Sequence, residues 1–80
     1  MTEELYNRFV EKIREEIRDI REYQNLLPMA TGYSCAVLNG IIRDEKSHAK
    51  YLLKAIEESG RPAPADLKAE YMGLTNFRRI

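Results

Sequence analysis

The sequence predicts an all-α fold: an antiparallel two-helix hairpin that is half of a four-helix bundle, completed by dimerisation, with a short C-terminal helix. Two long stretches have apolar residues at alternating three- and four-residue steps, the spacing of one face of an α-helix. Gly and Pro separate these stretches and end the second one, where helices stop. Because 80 residues form one small domain with a marginal core, a partner chain is expected.

The first helix is predicted from Thr2 to about Leu27, a stretch without Gly or Pro. Thr2 is a suitable N-cap, and acidic residues follow it in the first turn. Glu16 fills the one missing step in the apolar series of this helix, so its carboxylate is expected to point inward. The apolar members of the series are Tyr6, Phe9, Ile13, Ile20, Tyr23 and Leu27.

The second helix is predicted from Ser34 to about Ser59, after a short connection bracketed by Pro28 and Gly32. Glu45 occupies the vacant step of its apolar series and is also expected to point inward. Gly40 lies inside this helix and indicates either a close approach of a neighbouring helix or a slight bend. The apolar series is Cys35, Leu38, Ile42, Ala49, Leu52 and Ile56, with His48 on its flank beside Ile41 and Ala55.

The hairpin accounts for residues 1–60, and a linker with a short helix accounts for residues 61–80. Two prolines stiffen the linker at residues 61–64. A third helix is predicted from Ala65 to about Met72, with Leu67, Tyr71 and Leu74 on one side. We expect it to dock on the bundle or on a neighbouring subunit, and residues 77–80 to form a ragged terminus.

The charge balance argues against nucleic acid and membranes as partners. Thirteen basic and thirteen acidic residues cancel, and the charges look interspersed on solvated faces. No stretch is long and apolar enough to span a bilayer or to act as a secretion signal. The single Cys35 cannot form an internal disulfide and is interpreted as a core residue, so a reducing, cytoplasmic compartment is expected.

A carboxylate and the only imidazole of the chain lie one helical turn apart, at Glu45 and His48. If the hairpin turns near Ala30, Glu16 lies at nearly the same height, because both glutamates are about fifteen residues from the turn. A twofold axis would supply two copies of each residue, the donor set of di-iron sites in helical bundles. Carboxylates with an imidazole suit iron, or else manganese, better than structural zinc.

A structural interpretation of the same residues stays open, in which the carboxylates form a metal-free polar layer that fixes the register of a helical dimerisation module. Tyr23 either packs in the apolar series or hydrogen-bonds a metal ligand from the second shell. Asp19 and Asp44 are interpreted as solvated charges. Glu15 and Glu22 are interpreted in the same way, with a secondary role in holding cations near the site as they arrive.

These residues resemble the ferritin-like superfamily, and specifically its short rubrerythrin-type sequences. The resemblance lies in Glu16 with Tyr23 seven residues later, and in the stretch from Asp44 to Ala49 that contains Glu45 and His48. It covers roughly residues 5–58. Full-length members have four helices and two such halves in one chain. A single half is similar to the encapsulated-ferritin branch, in which two-helix chains share a di-iron site and assemble into rings.

The resemblance implies that Glu16, Glu45 and His48 are iron ligands in a di-iron ferroxidase that oxidises Fe(II) to Fe(III) with dioxygen or peroxide, for iron storage or detoxification. A peroxide-scavenging di-metal protein is the alternative. The chain lacks the Gly- and Leu-rich tag for an encapsulin shell, so location inside that shell is left open. It also lacks a four-cysteine rubredoxin-like module, and a half-bundle cannot enclose a mineral, so storage would rely on another compartment.

Overall fold

Three α-helices form the fold of the protein in the computed structural model, which describes residues 1–75. Helix α1 spans Glu3–Leu26, α2 spans Gly32–Glu58 and α3 spans Ala65–Thr75, with one turn of 3₁₀-helix at Leu27–Met29. Within this range there is no strand, so the all-α prediction is confirmed. The predicted ragged terminus at residues 77–80 lies outside the described residues.

The helix ends follow from local chemistry. The Thr2 hydroxyl accepts a hydrogen bond from the Leu5 amide at 3.1 Å, which confirms the predicted N-cap. Helix α2 begins two residues earlier than predicted, at Gly32, whose φ of 55° suits a residue without a side chain. Helix α2 ends before Gly60, which has a φ of 87° and turns the chain into the linker as expected.

The core lies between α1 and α2 and beneath α3. Five members of the predicted apolar series are buried there, namely Ile13, Ile20, Ile42, Ala49 and Ile56. Two further residues complete the buried part of the hairpin, Ile17 on α1 and Leu53 on α2, and the prediction did not include them. These two residues are buried because α3 packs in the groove along one side of the hairpin and covers the sides of α1 and α2 that face it.

Helix α3 docks on the hairpin of its own chain and contacts both α1 and α2. Leu67 is fully buried, and burying a leucine side chain contributes roughly 2 kcal/mol. Three exposed ion pairs fix the position of α3 and add little energy of their own. They join Arg14 to Asp66 at 3.3 Å, Arg21 to Glu70 at 3.5 Å and Lys68 to Glu57 at 2.7 Å.

The linker is held against the start of α1. The Tyr6 hydroxyl donates a hydrogen bond to the Pro62 carbonyl oxygen at 2.9 Å. The Arg61 guanidinium stacks over the Tyr6 ring, 3.9 Å from its centroid, and pairs with Glu3 at 2.8 Å. These contacts fix where α3 begins, so that the helix runs along the hairpin.

One face of the hairpin is covered by α3 and the opposite face is not. Arg14 and Arg21 pair with residues of α3 and therefore lie on the side of α1 that α3 covers. Glu16 is two residues after Arg14, about 200° around the helix, so it lies on the opposite side. We call this other side the open face. Its members are Phe9, Glu16 and Tyr23 on α1 and Ile41, Glu45, His48 and Leu52 on α2, all half-buried except His48, which is exposed.

Two further observations bear on the predictions. Among residues 1–75, a Cβ atom added at Gly40 would meet only Arg43 of the same helix, at 3.7 Å, so no other described helix approaches closely there. Among the helices described, none combines the length and the apolar character needed to cross a bilayer.

Candidate metal centre

Glu16, Glu45 and His48 come together on the open face. The His48 Nδ1 atom lies 3.5 Å from Glu16 Oε2 and 3.3 Å from Glu45 Oε1. One donor atom from each of the three residues lies within 4.8 Å of the other two. The predicted equal height of the two glutamates is therefore what the hairpin produces.

The helices position these donors in a direct way. Glu45 and His48 are three residues apart on α2, so their side chains leave neighbouring points of one helical face. Glu16 reaches them from α1 across the seam. Ile13 and Ile20, both fully buried, flank Glu16 on its own helix and hold α1 in register against α2.

Within one chain the three side chains are not fully enclosed. The exposed fraction is 20% for the Glu16 side chain, 18% for Glu45 and 58% for His48. The inward orientation predicted for the glutamates is thus partial, because they sit at the edge of the seam that faces away from α3. The imidazole lies at the surface of the open face.

Glu16 is the electrostatically strained member of the group. Its Oε1 atom is buried and has no hydrogen-bond partner among the described residues. Burial raises the pKa of Glu16 from 4.5 to about 7, with help from a hydrogen bond and the negative charge of Glu45 and from Asp19, while His48 lowers it. A buried carboxylate oxygen without a partner is a place where a cation would be stabilised.

The donor geometry fits a divalent cation. Metal bonds to imidazole nitrogen and carboxylate oxygen are about 2.0–2.2 Å long, so neighbouring ligands of one ion lie about 3–3.5 Å apart. The two distances from His48 Nδ1, 3.3 and 3.5 Å, fall in this range. A cation held by these three donors would have coordination positions left open on the exposed side, an arrangement found in catalytic rather than structural sites.

A cavity of about 440 Å³ adjoins the site, and Lys12, Tyr51 and Leu52 line it together with Glu16 and His48. The sequence analysis did not single out Lys12 or Tyr51. Helical spacing could have found them, because Lys12 is one turn before Glu16 and Tyr51 is one turn after His48. Lys12 pairs with Glu15 at 3.5 Å, and the Tyr51 side chain is 66% exposed.

The other predicted residues lie outside the group of three. Tyr23 is half-buried and packs against the core, and its hydroxyl makes no hydrogen bond with another described residue, so its second-shell role stays a prediction. Glu15 is engaged by Lys12, and Glu22 is exposed. Neither approaches His48, and their role in holding cations stays a prediction as well.

Comparisons of the chain with protein-family models, with curated proteins and with solved structures find no match in any of the three. The resemblance to the ferritin-like superfamily thus remains a prediction from the motif, and arguments about function rest on the geometry of the three donors.

Proposed function

We propose that the protein is a ferroxidase in which two chains share a di-iron site and oxidise Fe(II) to Fe(III). The observation that carries this proposal is the convergence of Glu16, Glu45 and His48, whose donor atoms lie within 4.8 Å on the face that α3 leaves uncovered. Fe(II) is the substrate in this reaction. Mn(II) is the other ion that this donor set accommodates.

A second copy of the chain is the natural cover for the open face. Phe9, Tyr23, Ile41 and Leu52 surround the three donors with apolar surface that is only half-buried in one chain. Two hairpins related by a twofold axis would bury this surface as a four-helix bundle. The same axis would bring two sets of donors to one interface, giving four carboxylates and two imidazoles, and rings could follow from further contacts.

Charge supports the binding of cations at such an interface. Four buried carboxylates repel one another, and isolated buried charge is costly. The raised pKa of Glu16 and its unpartnered Oε1 atom already express this cost within one chain. Two divalent cations would offset the charge of the four carboxylates.

To oxidise Fe(II), the protein would mainly have to hold two Fe(II) ions next to each other. Glu45 and its twin would bridge two Fe(II) ions, and each ion would be capped by one Glu16 and one His48, leaving open positions for the oxidant. With dioxygen the balance is 2 Fe(II) + O₂ + 2 H⁺ → 2 Fe(III) + H₂O₂. The protein holds both electron donors side by side, so two electrons leave together, and the closed interface excludes bulk water. This reaction would take place in a reducing, cytoplasmic compartment, either free or inside an encapsulin shell.

Native mass spectrometry tests the proposal, because it reports the number of chains and of metal ions together. We expect an even-numbered oligomer that gains two irons per pair of chains after anaerobic addition of Fe(II). Glu45→Gln with His48→Ala should abolish this uptake, whereas Asp44→Asn, an exposed neighbour, should leave it unchanged. An oligomer that takes up no iron would overturn the proposal.

The oxidation of Fe(II) is then measured in two ways, as the consumption of oxygen and as the loss of Fe(II) that a chelator can bind. The same double variant should lower the rate to that of free Fe(II) in buffer, and Asp44→Asn should retain the rate. Rapid turnover with peroxide and slow turnover with dioxygen would instead assign the site to peroxide scavenging.

A metal-free polar layer is the second candidate, and one observation favours it. A protonated His48 would lie within 3.5 Å of both carboxylates and would offset their charge without a metal. In that case replacing Glu45 with Leu and His48 with Ala leaves the dimer intact or more stable, and no divalent ion changes the stability of the wild-type protein.

A further inference from the structure

A stripe of cations runs along α2 on the side away from the open face. Arg43, Lys46 and Lys50 recur at three- and four-residue steps, so they share one side of the helix, next to α3. None of them forms an ion pair with an acidic group of residues 1–75. The net charge of zero therefore hides a local excess of positive charge, and the charges here are not interspersed as the sequence predicted.

The basic residues of α1 that face α3 differ from the cations of α2, because those of α1 have acidic partners. The basic residues that α3 meets on α1 are paired, Arg14 with Asp66 and Arg21 with Glu70. The acidic residue Glu57, farther along α2, is engaged by Lys68. Asp66, Glu70 and Glu57 are thus each paired with another basic residue. They leave the three cations of α2 without an ion-pair partner among residues 1–75.

These cations line a groove of about 460 Å³ between α2 and α3. Asn39 and Ser47 add an amide and a hydroxyl at its edge, Tyr71 of α3 forms the opposite wall, and Ile42 is buried at its base. The groove thus combines a buried apolar floor with guanidinium, ammonium and hydroxyl donors, while the Asn39 amide already donates to the Cys35 carbonyl oxygen at 3.1 Å. Donors gathered in a concave site are the arrangement that recognises oxyanions.

Like charges at three- and four-residue steps destabilise a helix, so the stripe costs free energy that a bound anion would recover. Arg43 and Lys50 are seven residues apart, which places them about 10 Å apart along the helix axis. The Arg43 guanidinium also lies toward the start of α2, 3.7 Å from a Cβ atom added at Gly40, and therefore points away from Lys50. In this arrangement one phosphate group does not contact both ends of the stripe. A chain of two or more phosphoryl groups would follow the stripe.

The geometry points to a binding groove for a small anion with two or more linked phosphoryl groups, held by Arg43, Lys46 and Lys50. The Arg43 guanidinium binds one phosphoryl group through paired N–H donors, and the two ammonium groups bind the rest as point charges. This site is separate from the metal centre, because Glu45 and His48 lie on the other side of α2. It does not rest on the proposed ferroxidase function.

Isothermal titration of the metal-free protein with inorganic tripolyphosphate tests this inference. We expect one site per chain, an affinity that falls as salt is raised, and weaker binding of orthophosphate. Lys46→Gln with Lys50→Gln should weaken tripolyphosphate binding at least about tenfold, because two charge-assisted contacts are lost. The matched control is Arg8→Gln with Arg18→Gln, which removes the same charge from exposed positions of α1 and should change the affinity less than threefold.

Circular dichroism of both double variants verifies that they are folded. A milder second variant is Arg43→Lys, which keeps the positive charge but loses the paired N–H donors and should also weaken binding. Equal loss in the groove and control variants, or no binding of tripolyphosphate, would overturn the inference. Tighter binding of a DNA duplex than of tripolyphosphate would also overturn it, since the stripe would then belong to a nucleic-acid surface. Equal affinity for ATP and tripolyphosphate would show that the phosphate chain alone is recognised; tighter binding of ATP would place the base in the groove as well.

Discussion

Replacing Glu16 with Gln should stabilise the metal-free protein at alkaline pH while removing its affinity for Fe(II). In the folded chain the pKa of Glu16 is raised from 4.5 to about 7, first because the carboxyl group is buried and then because Glu45 lies beside it. The folded state therefore holds a proton that the unfolded state has lost over this range of pH. Stability from this group is fully present below pH 4.5 and is lost as the pH rises through 7.

The size of the effect follows from the same two pKa values. A rise from 4.5 to about 7 corresponds to roughly 3 kcal/mol if the carboxyl group is shielded from water. The Glu16 side chain keeps 20% of its surface exposed, and solvent screening reduces the expected loss to about 1–2 kcal/mol. Gln is neutral at every pH, so the variant should match the wild-type protein near pH 4.5 and exceed its free energy of unfolding by about 1–2 kcal/mol at pH 8.

The assay is urea unfolding from pH 4.5 to pH 8.5 in the presence of a chelator, at one fixed protein concentration because dimerisation affects stability. Glu22→Gln is the matched control, since Glu22 is an exposed glutamate on the same helix. The difference between Glu16→Gln and wild type should grow with pH, and the difference for Glu22→Gln should stay flat. Anaerobic Fe(II) should then stabilise wild type and leave Glu16→Gln unchanged.

This prediction would be refuted by a metal-free wild-type protein whose free energy of unfolding, relative to the Gln variant, stays level or rises from pH 5 to pH 7.5. It would also be refuted by a variant that gains as much stability from Fe(II) as the wild-type protein. In the first case Glu16 would be ionised throughout, and in the second it would not be a ligand.

Two further predictions concern the scaffold. Gly40→Ala should raise the free energy of unfolding by about 0.5–1 kcal/mol in urea unfolding, because only Arg43 lies near the added methyl group and Ala is the better helix former; a loss of stability would indicate a close contact at Gly40 in the assembled protein. Leu67→Ala should cost about 2–4 kcal/mol, because this side chain of α3 is fully buried against the hairpin. Met72→Ala, at an exposed position of the same helix, should cost less than about 1 kcal/mol, and equal costs would show that α3 is not docked in solution.

The helices were predictable because their signals are local. Thr2, Pro28 and Gly60 act through their own backbone or a neighbouring amide, and α1 and α2 end within about two residues of the predicted limits. The burial of Ile17 and Leu53 was not predictable in this way, since it depends on which side of the hairpin α3 occupies. That choice is made by contacts more than forty residues apart, such as Arg14 with Asp66.

The sequence predicted which residues form the candidate site, but it did not predict how deeply they are buried or what hydrogen bonds they make. Glu16 and Glu45 interrupt two apolar series at equal distance from a turn, and that arithmetic is enough to bring them together. The unpartnered Oε1 atom of Glu16 and the exposure of His48 could not be predicted, because both depend on how deeply the seam encloses each atom. Helical spacing alone puts Lys12 and Tyr51 next to the site, but their lining of the adjoining cavity depends on side-chain placement.

The position of α3 links the proposed assembly to the chemistry. A two-helix hairpin has two grooves, and a second hairpin can dock in either unless one is filled. Here α3 fills one groove with Leu67 and Leu74, both buried, and among residues 1–75 the open face is the groove that stays uncovered. That face carries Glu16, Glu45 and His48. A short helix with no metal ligand thus selects the interface at which the ligands of two chains would meet, and it leaves the basic stripe of α2 facing away from that interface, accessible to an anion.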